Sequence, residues 1–209
     1  MLYNLHHSCK MFYWILVFKR KREPQCKIKW AESFPLFKCV DNTVWPRIFE
    51  MPFTVTRETR LQSFQFRIIH RIIPCNKWLF NITVKESSKC SFCNNEDNLM
   101  HYFIYCKNVK LFWKCFFNWW YAISKVAIDE TLDEHILFGF PGNSEIEMVL
   151  NFCMLLAKWF IYCKKLNGKN DLDLYEYLLI LKERLQIERA ICLKNNQNFD
   201  KWNFIYEQI

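Results

Sequence analysis

The pattern of apolar and polar positions in residues 56–73 predicts an amphipathic helix. At about 100° per residue the apolar positions share one broad face; they are Leu61, Ile68, Ile69, Ile72 and Ile73. Four arginines fall within about 80° of one another on a different side of the same helix; they are Arg57, Arg60, Arg67 and Arg71. Thr56 suits the start of this helix, and Pro74 supplies a stop. We therefore expect a helix that is one-sided in charge as well as in hydrophobicity.

Helices also dominate the second half of the predicted secondary structure. Residues 102–121 are apolar nearly all round, which is typical of a buried helix. A serine followed by two glutamates opens a predicted helix over residues 144–166, and Gly168 closes it. A last helix is predicted from Asp171 to about residue 193, and Pro141 marks the loop that precedes these two helices. The fold class is therefore predicted to be mainly α.

Residues 1–52 show no sustained periodicity. They are rich in basic and aromatic side chains and are interrupted by four prolines, Pro24, Pro35, Pro46 and Pro52. We expect an irregular basic and aromatic N-terminal arm over residues 1–52. It is followed by a second region over residues 53–125 and by a helical C-terminal region over residues 126–209.

Composition excludes several classes of protein. The 209 residues are 52% hydrophobic and 18% aromatic, which is enough to form a sizeable core and argues against disorder. Only 3 glycines are present, and neither GxGxxG nor GxxxxGK[ST] occurs. The usual glycine-rich phosphate-binding loops are therefore absent from the sequence.

The formal net charge of +8 is unevenly distributed along the chain. Lysines and arginines outnumber acids in residues 51–90, residues 98–128 contain no acid, and residues 129–150 contain six acids and no base. This asymmetry predicts a polyanionic partner for the middle of the chain. The alternative is that the lysines only keep an apolar protein in solution.

The sequence favours an intracellular protein, in the nucleus or the cytoplasm. Eleven cysteines are an odd number and are not set in the glycine-rich context of a secreted disulfide scaffold. The apolar residues 11–18 precede the basic residues 19–22, which is the wrong order for a secretory signal. No run of about 18 apolar residues is present, so we expect no contact with a membrane.

One cysteine and histidine motif has the spacing of a metal site. Cys90, Cys93, His101 and Cys106 follow the pattern C-x2-C-x7-H-x4-C. Zinc is bound by four thiolate or imidazole donors at tetrahedral corners, and a CxxC turn presents two thiolates to one ion. Four protein ligands leave no open position for water, so this CCHC zinc knuckle is predicted to be structural and not hydrolytic.

The competing interpretation is that these are unrelated residues in a cysteine-rich chain, where a chance CxxC is not rare. The nearby histidine and third cysteine, which lie among polar residues, argue against coincidence. Cys115 and His135 are the alternative ligands.

The motifs together are similar to a known family. They are LQSFQFRIIHRIIP at residues 61–74, KWL at residues 77–79, CSFCNNED and MHYFIYC around the four predicted ligands, and Phe112-Trp113. This series resembles the reverse-transcriptase zinc-binding region near the C-terminus of the replication proteins of non-LTR (LINE-type) retrotransposons. The resemblance covers residues 56–120, within the second region at 53–125.

The resemblance implies an accessory segment of a reverse transcriptase that helps to hold template RNA or target DNA. The residues are compatible with this role, since cationic side chains contact phosphates and an aromatic ring stacks on an unpaired base. The predicted nucleic-acid-binding residues are Arg57, Arg60, Arg67, Arg71, Lys77 and Trp78.

We expect no catalysis and no small-molecule substrate. The chain has no Asp-Asp pair for polymerase magnesium and no HExxH motif, so the predicted catalytic residues are none. The alternative function is a zinc-scaffolded protein–protein interaction module whose partner is another protein or the rest of the parent polymerase.

Overall fold

The computed structural model describes residues 24–33, 44–128, 133–140, 142, 144–169, 171–196 and 200–206. The apolar and basic residues at 11–22, Pro35 and Pro141 lie outside the described residues. The chain divides into two compact units, Met1–Val40 and Asp41–Ile209. The prediction of a mainly α fold is confirmed, and the described residues contain no strand beyond an isolated bridge between Lys89 and Glu96.

The first unit contains α1, Gln25–Ser33, and all other described elements belong to the second unit. In the second unit these are α2 Val44–Val55, α3 Thr59–Ile69, α4 Asn76–Asn81, a π-helical turn His101–Tyr105, α5 Lys107–Ser124, α6 Asp133–Phe138, α7 Glu145–Leu166, α8 Leu174–Lys194 and α9 Asp200–Tyr206.

Helix α7 forms the centre of the second unit, where α2, α3, α8 and α9 pack against it. It begins as predicted, because Ser144 and Glu147 form a reciprocal capping box. It also ends as predicted, with Gly168 in the left-handed region at φ +65°. Every residue from 149 to 158 is buried.

The same helix is long and apolar enough to cross a membrane, although 72% of its most apolar window is buried inside the protein. The expectation that the chain has no segment of this kind is therefore too strong. Burial of this extent is what the core helix of a soluble protein shows.

Helix α3 is shorter than the predicted helix over residues 56–73. The helix begins at Thr59 and not at Thr56. The Thr56 hydroxyl accepts from the Glu58 N–H at 3.0 Å and donates to buried Glu188 of α8, with 2.7 Å between Oγ1 and Oε1. At the other end Arg71 adopts a left-handed conformation at φ 58°, which turns the chain away after Ile69. Ile72, predicted on the apolar face, is consequently 52% exposed.

The predicted helix over residues 102–121 is divided at Cys106. The backbone of Cys106 is not helical, at φ −58° and ψ 133°, and separates the π-helical turn from α5. Downstream of this break, Phe112 of α5, Phe160 of α7 and Tyr177 of α8 meet in the core, with ring centroids 5.6 to 6.0 Å apart. The single helix that was expected is therefore a π-helical turn followed by α5, and α5 contributes one ring to an aromatic contact between three helices.

The N-terminal part of the chain is more helical than predicted. Within residues 1–52, where an irregular arm was expected, the described residues include α1 and most of α2. Pro46 lies in the first turn of α2, where backbone N–H groups have no partner inside the helix, so it does not prevent the helix from forming. The division into regions 1–52, 53–125 and 126–209 stays a prediction.

The predicted start of α8 is wrong, and two short helices were not predicted. Helix α8 begins at Leu174 and not at Asp171, because Asp173 is the residue whose carboxylate accepts from the Tyr175 and Glu176 N–H groups. Helices α6 and α9 were not predicted, since each is a short element of six or seven residues.

Candidate metal centre

The four predicted ligands come together in the structure. The ligand atoms of Cys90, Cys93, His101 and Cys106 all lie within 4.8 Å of one another. Sγ of Cys106 is 3.9 Å from Sγ of Cys90 and 3.8 Å from Sγ of Cys93, and Nε2 of His101 is 3.2 Å from Sγ of Cys93. Donors at tetrahedral corners around zinc are about 3.5–3.8 Å apart. The Cys/His cluster is therefore close enough to hold a metal ion.

A tight turn presents the first two cysteines. The Asn94 N–H donates to the Cys90 carbonyl (2.9 Å), and the Cys90 N–H donates to the Asn95 carbonyl (2.7 Å). Asn94 has φ 62°, a conformation that asparagine tolerates better than most residues. This folding of the backbone turns the Cys90 and Cys93 side chains toward the same point.

The π-helical turn aligns the other two ligands. His101 and Cys106 are five residues apart, and in an α-helix such residues point about 140° apart. A π-helical turn has the i→i+5 periodicity that brings them to one side, and the Cys106 N–H donates to the His101 carbonyl at 3.1 Å. Asn98 opens the turn, because its Oδ1 accepts from the His101 N–H at 2.9 Å.

Burial and hydrogen bonding set the electrostatics of the cluster. Cys90, His101 and Cys106 are buried, and Cys93 is half-buried. The hydrogen bond with Cys90 lowers the pKa of Cys106 to about 7, and the same bond raises the pKa of Cys90 to about 12. The bond couples the two sulfurs, so the pKa of each thiol depends on its partner.

Helix α4 is hydrogen-bonded to the loop that carries the first two cysteines, residues 88–97, which we call the cysteine loop. The Asn76 side-chain amide donates to the Lys89 carbonyl at 2.7 Å, and the Asn76 N–H donates to Oδ2 of Asp97 at 3.2 Å. The ammonium of Lys77 lies 2.7 Å from Oε1 of Glu96. The position of α4 therefore depends on the conformation of this loop.

The two alternative ligands do not join the cluster. Cys115 is exposed on α5. His135 stacks on Phe140 with ring centroids 4.5 Å apart, and burial lowers its pKa.

The predicted nucleic-acid-binding residues have different surroundings. Trp78 is 46% exposed on α4, next to Lys77 and its ion pair with Glu96. Arg57 and Arg60 are exposed, and Nε of Arg60 is 4.0 Å from the Glu58 carboxylate.

Two of the four predicted arginines, Arg67 and Arg71, are only partly exposed to solvent. Nε of Arg67 is buried and has no hydrogen-bond partner among the described residues, and the guanidinium lies 5.9 Å from the centroids of the Phe64 and Tyr162 rings. Arg71 is half-buried at the left-handed turn that ends α3. Arg57, Arg60 and Trp78 are therefore the predicted residues whose side chains are most open to solvent.

Sequence reasoning missed two residues beside the cluster, Asp97 and Lys165, of which Lys165 contacts Sγ of Cys90 and Asp97 pairs with Lys165. Asp97 was noticed only as part of a polar context, and Lys165 only as a basic residue near the end of a helix. A signal was present for the first, since Asp97 follows CxxC closely. Nothing local marked Lys165, because its contact spans 75 positions of the chain.

The fold and the Cys/His cluster define a class, a mainly helical protein with a three-cysteine, one-histidine site that can hold a metal ion. No protein-family model matches the chain, and no curated protein and no solved structure matches it.

Proposed function

We propose that the Cys/His cluster is a structural zinc site. Three thiolates and an imidazole are the donors that zinc prefers over the harder divalent ions. Four protein donors also complete a tetrahedron, which leaves no position for a reacting water. The observation that supports this proposal most directly is that the four ligand atoms lie within 4.8 Å of one another.

The proposed role of the zinc-stabilised chain is to bind nucleic acid, as an accessory segment of a LINE-type reverse transcriptase without catalysis of its own. The motif resemblance supports this role, and so does the net charge of +8. RNA template or target DNA is the proposed partner, in the nucleus or the cytoplasm. The exposed ring of Trp78 is suited to base stacking, since α4 is fastened to the loop that zinc would hold.

A second candidate is a protein–protein interaction module, including docking on the parent polymerase. Four apolar side chains are exposed just before the cysteine loop; they are Trp78, Phe80, Ile82 and Val84. In addition, the Glu58 carboxylate approaches Arg60 at 4.0 Å and Arg184 at 3.3 Å, so part of the arginine charge is balanced internally. Both features favour an apolar partner over a phosphate backbone.

Metal analysis combined with filter binding separates these functions. The wild type should contain stoichiometric zinc and bind RNA or single-stranded DNA with a log–log salt slope of about 0.7 per phosphate contact. Cys93→Ser should lose both the metal and the binding. Trp78→Ala should weaken binding, because stacking contributes about 1–3 kcal/mol per base. Tyr175→Ala, which removes an exposed aromatic ring from α8, is the matched control.

Failure to bind nucleic acid in low salt with zinc present would eliminate the nucleic-acid role. Binding that does not respond to salt would do the same. Retention of zinc by Cys93→Ser would contradict the metal site itself.

A further inference from the structure

Lys165, near the end of α7, makes direct contact with the Cys/His cluster. Its Nζ lies 3.7 Å from Sγ of Cys90 and 3.3 Å from Oδ1 of Asp97. The side chains of Lys165 and Asp97 are only 3% and 2% exposed. A buried ion pair therefore adjoins one of the proposed zinc ligands.

The ammonium is enclosed by residues of the cysteine loop and the π-helical turn. It lies 4.1 Å from the centroid of the Tyr102 ring and 5.4 Å from that of Phe92, close enough for cation–π attraction to both. Tyr102 is adjacent to the ligand His101, and Phe92 lies between the ligands Cys90 and Cys93. Asp97 is itself held, because its N–H donates to the Ser88 carbonyl at 2.9 Å.

The charge of a loaded site explains why a cation would be placed here. Three thiolates, one neutral imidazole and a divalent ion carry a net charge of −1, and the buried Asp97 carboxylate adds a second negative charge beside them. Burial of an uncompensated charge is costly, whereas burial of a paired one is tolerated. The ammonium of Lys165 is the positive charge shared by the two, 3.7 Å from Sγ of Cys90 and 3.3 Å from Oδ1 of Asp97.

We infer that Lys165 is a positioning residue of the proposed metal centre, held by Asp97 so that its ammonium donates to Sγ of Cys90, orients that sulfur and offsets part of the negative charge of the loaded site. The inference rests on the proposed zinc site. It also extends that site beyond residues 53–125, because α7 supplies one of its charges. Zinc binding should accordingly stabilise the docking of α7 as well as the cysteine loop.

The neighbouring residue Lys164 provides a matched control within the same helix. It is also buried, but its ammonium pairs with Glu176 of α8 and lies 5.4 Å from the centroid of the Phe160 ring. Loss of Lys164 therefore removes a buried lysine and an ion pair without changing the charge next to Cys90.

The test uses the full chain and measures zinc affinity by competition with a chelator. Lys165→Met should bind zinc about 10–100-fold more weakly than the wild type, as is usual when a residue that contacts a metal ligand is lost. Lys165→Arg should retain most of the affinity, and Lys164→Met should retain all of it.

The cobalt-substituted proteins give a second measurement. Sulfur-to-cobalt charge transfer should shift to lower energy only in Lys165→Met, where the thiolate loses its cation.

The outcomes distinguish this inference from the zinc proposal. A wild-type protein that binds no zinc contradicts both. If the wild type binds zinc and Lys165→Met has the same affinity and spectrum, the positioning role alone is wrong. Equal loss in Lys165→Arg and Lys165→Met would also overturn it, because charge would not be the cause. Circular dichroism checks that each variant is folded, and Lys165→Gln replaces Lys165→Met if the latter is not.

Discussion

Lys158 of α7 donates a hydrogen bond to Gln65 of α3 in the interior of the protein, with 2.7 Å between Nζ and Oε1. The same ammonium donates to the Leu137 carbonyl of α6 at 2.7 Å. Lys158 is fully buried, and its two hydrogen-bond acceptors here are neutral. Burial lowers its pKa to about 7 from an ordinary value of 10.5.

This relationship predicts a pH-dependent stability. Between about pH 7 and 10.5 the unfolded chain binds more protons at Lys158 than the folded protein, so this lysine makes the free energy of unfolding rise with pH, by at most about 1.4 kcal/mol per unit. Buried Cys153 opposes this rise, because burial raises its pKa while the unfolded thiol, with a pKa of about 8.5, releases its proton first. The measurement is therefore kept below about pH 8.5.

Lys158→Met should flatten this dependence. The measurement is denaturant unfolding of wild type and variant at several pH values from about 6 to 8.5. The difference in slope is the readout, because the variant also leaves Oε1 of Gln65 without this donor. Lys194→Met, at the exposed end of α8, should keep the wild-type slope. Parallel curves for wild type and Lys158→Met would show that Lys158 stays charged in the folded state.

Thr56→Val should destabilise the fold by about 1–3 kcal/mol, because it removes a hydrogen bond to the buried Glu188 carboxylate and the oxygen that accepts from the Glu58 N–H. The Arg57 N–H, at 3.3 Å, remains as a weaker donor to the same oxygen. Urea unfolding measures the change. Thr54→Val is the control, since the exposed Thr54 hydroxyl donates to the Met51 carbonyl within α2. Equal losses in the two variants would mean that the contact with Glu188 contributes nothing specific.

Metal removal should lower the thermal midpoint and loosen the segment from residue 76 to residue 106. Structural zinc contributes about 10–16 kcal/mol in small zinc-binding peptides, so the effect on this loop should be large. Cys93→Ser should lower the midpoint as a chelator does, and Cys115→Ser should leave both metal content and midpoint unchanged. A chelator that has no effect on the wild type would argue against a structural role for the site.

Gly139→Ala should be more destabilising than Gly168→Ala. Both glycines have positive φ, at +86° and +65°, so each substitution incurs a backbone cost of about 1–2 kcal/mol. At Gly139 an added Cβ would also lie 2.8 Å from Oδ1 of Asn151, which accepts from the Phe140 N–H at 2.7 Å. At Gly168 no atom of the part of the chain that the structure describes lies within 4 Å of the added atom. Comparison of the two unfolding free energies isolates this clash, and equal values would exclude it.

Features that depend on near neighbours in the chain were predictable. The capping box at Ser144, the stop at Gly168 and the four clustered ligands all follow from spacings of a few residues. The boundaries of α3 were not predictable in the same way. Thr56 lies outside the helix, and its hydroxyl donates to Glu188, a residue 132 positions away in the chain.

The amino-acid sequence by itself determined the helical class and the donor set of the metal centre, because periodicity and ligand spacing act over one or two turns of the chain. Only the tertiary structure decided that Lys165 would adjoin Cys90, that Lys158 would be buried against the neutral oxygens of Gln65 and Leu137, and that Arg67 would pack on aromatic rings. Each of these depends on which helices pack together. Their charges are stabilised or shifted by neighbours that are far away in the sequence, and no local pattern encodes that proximity.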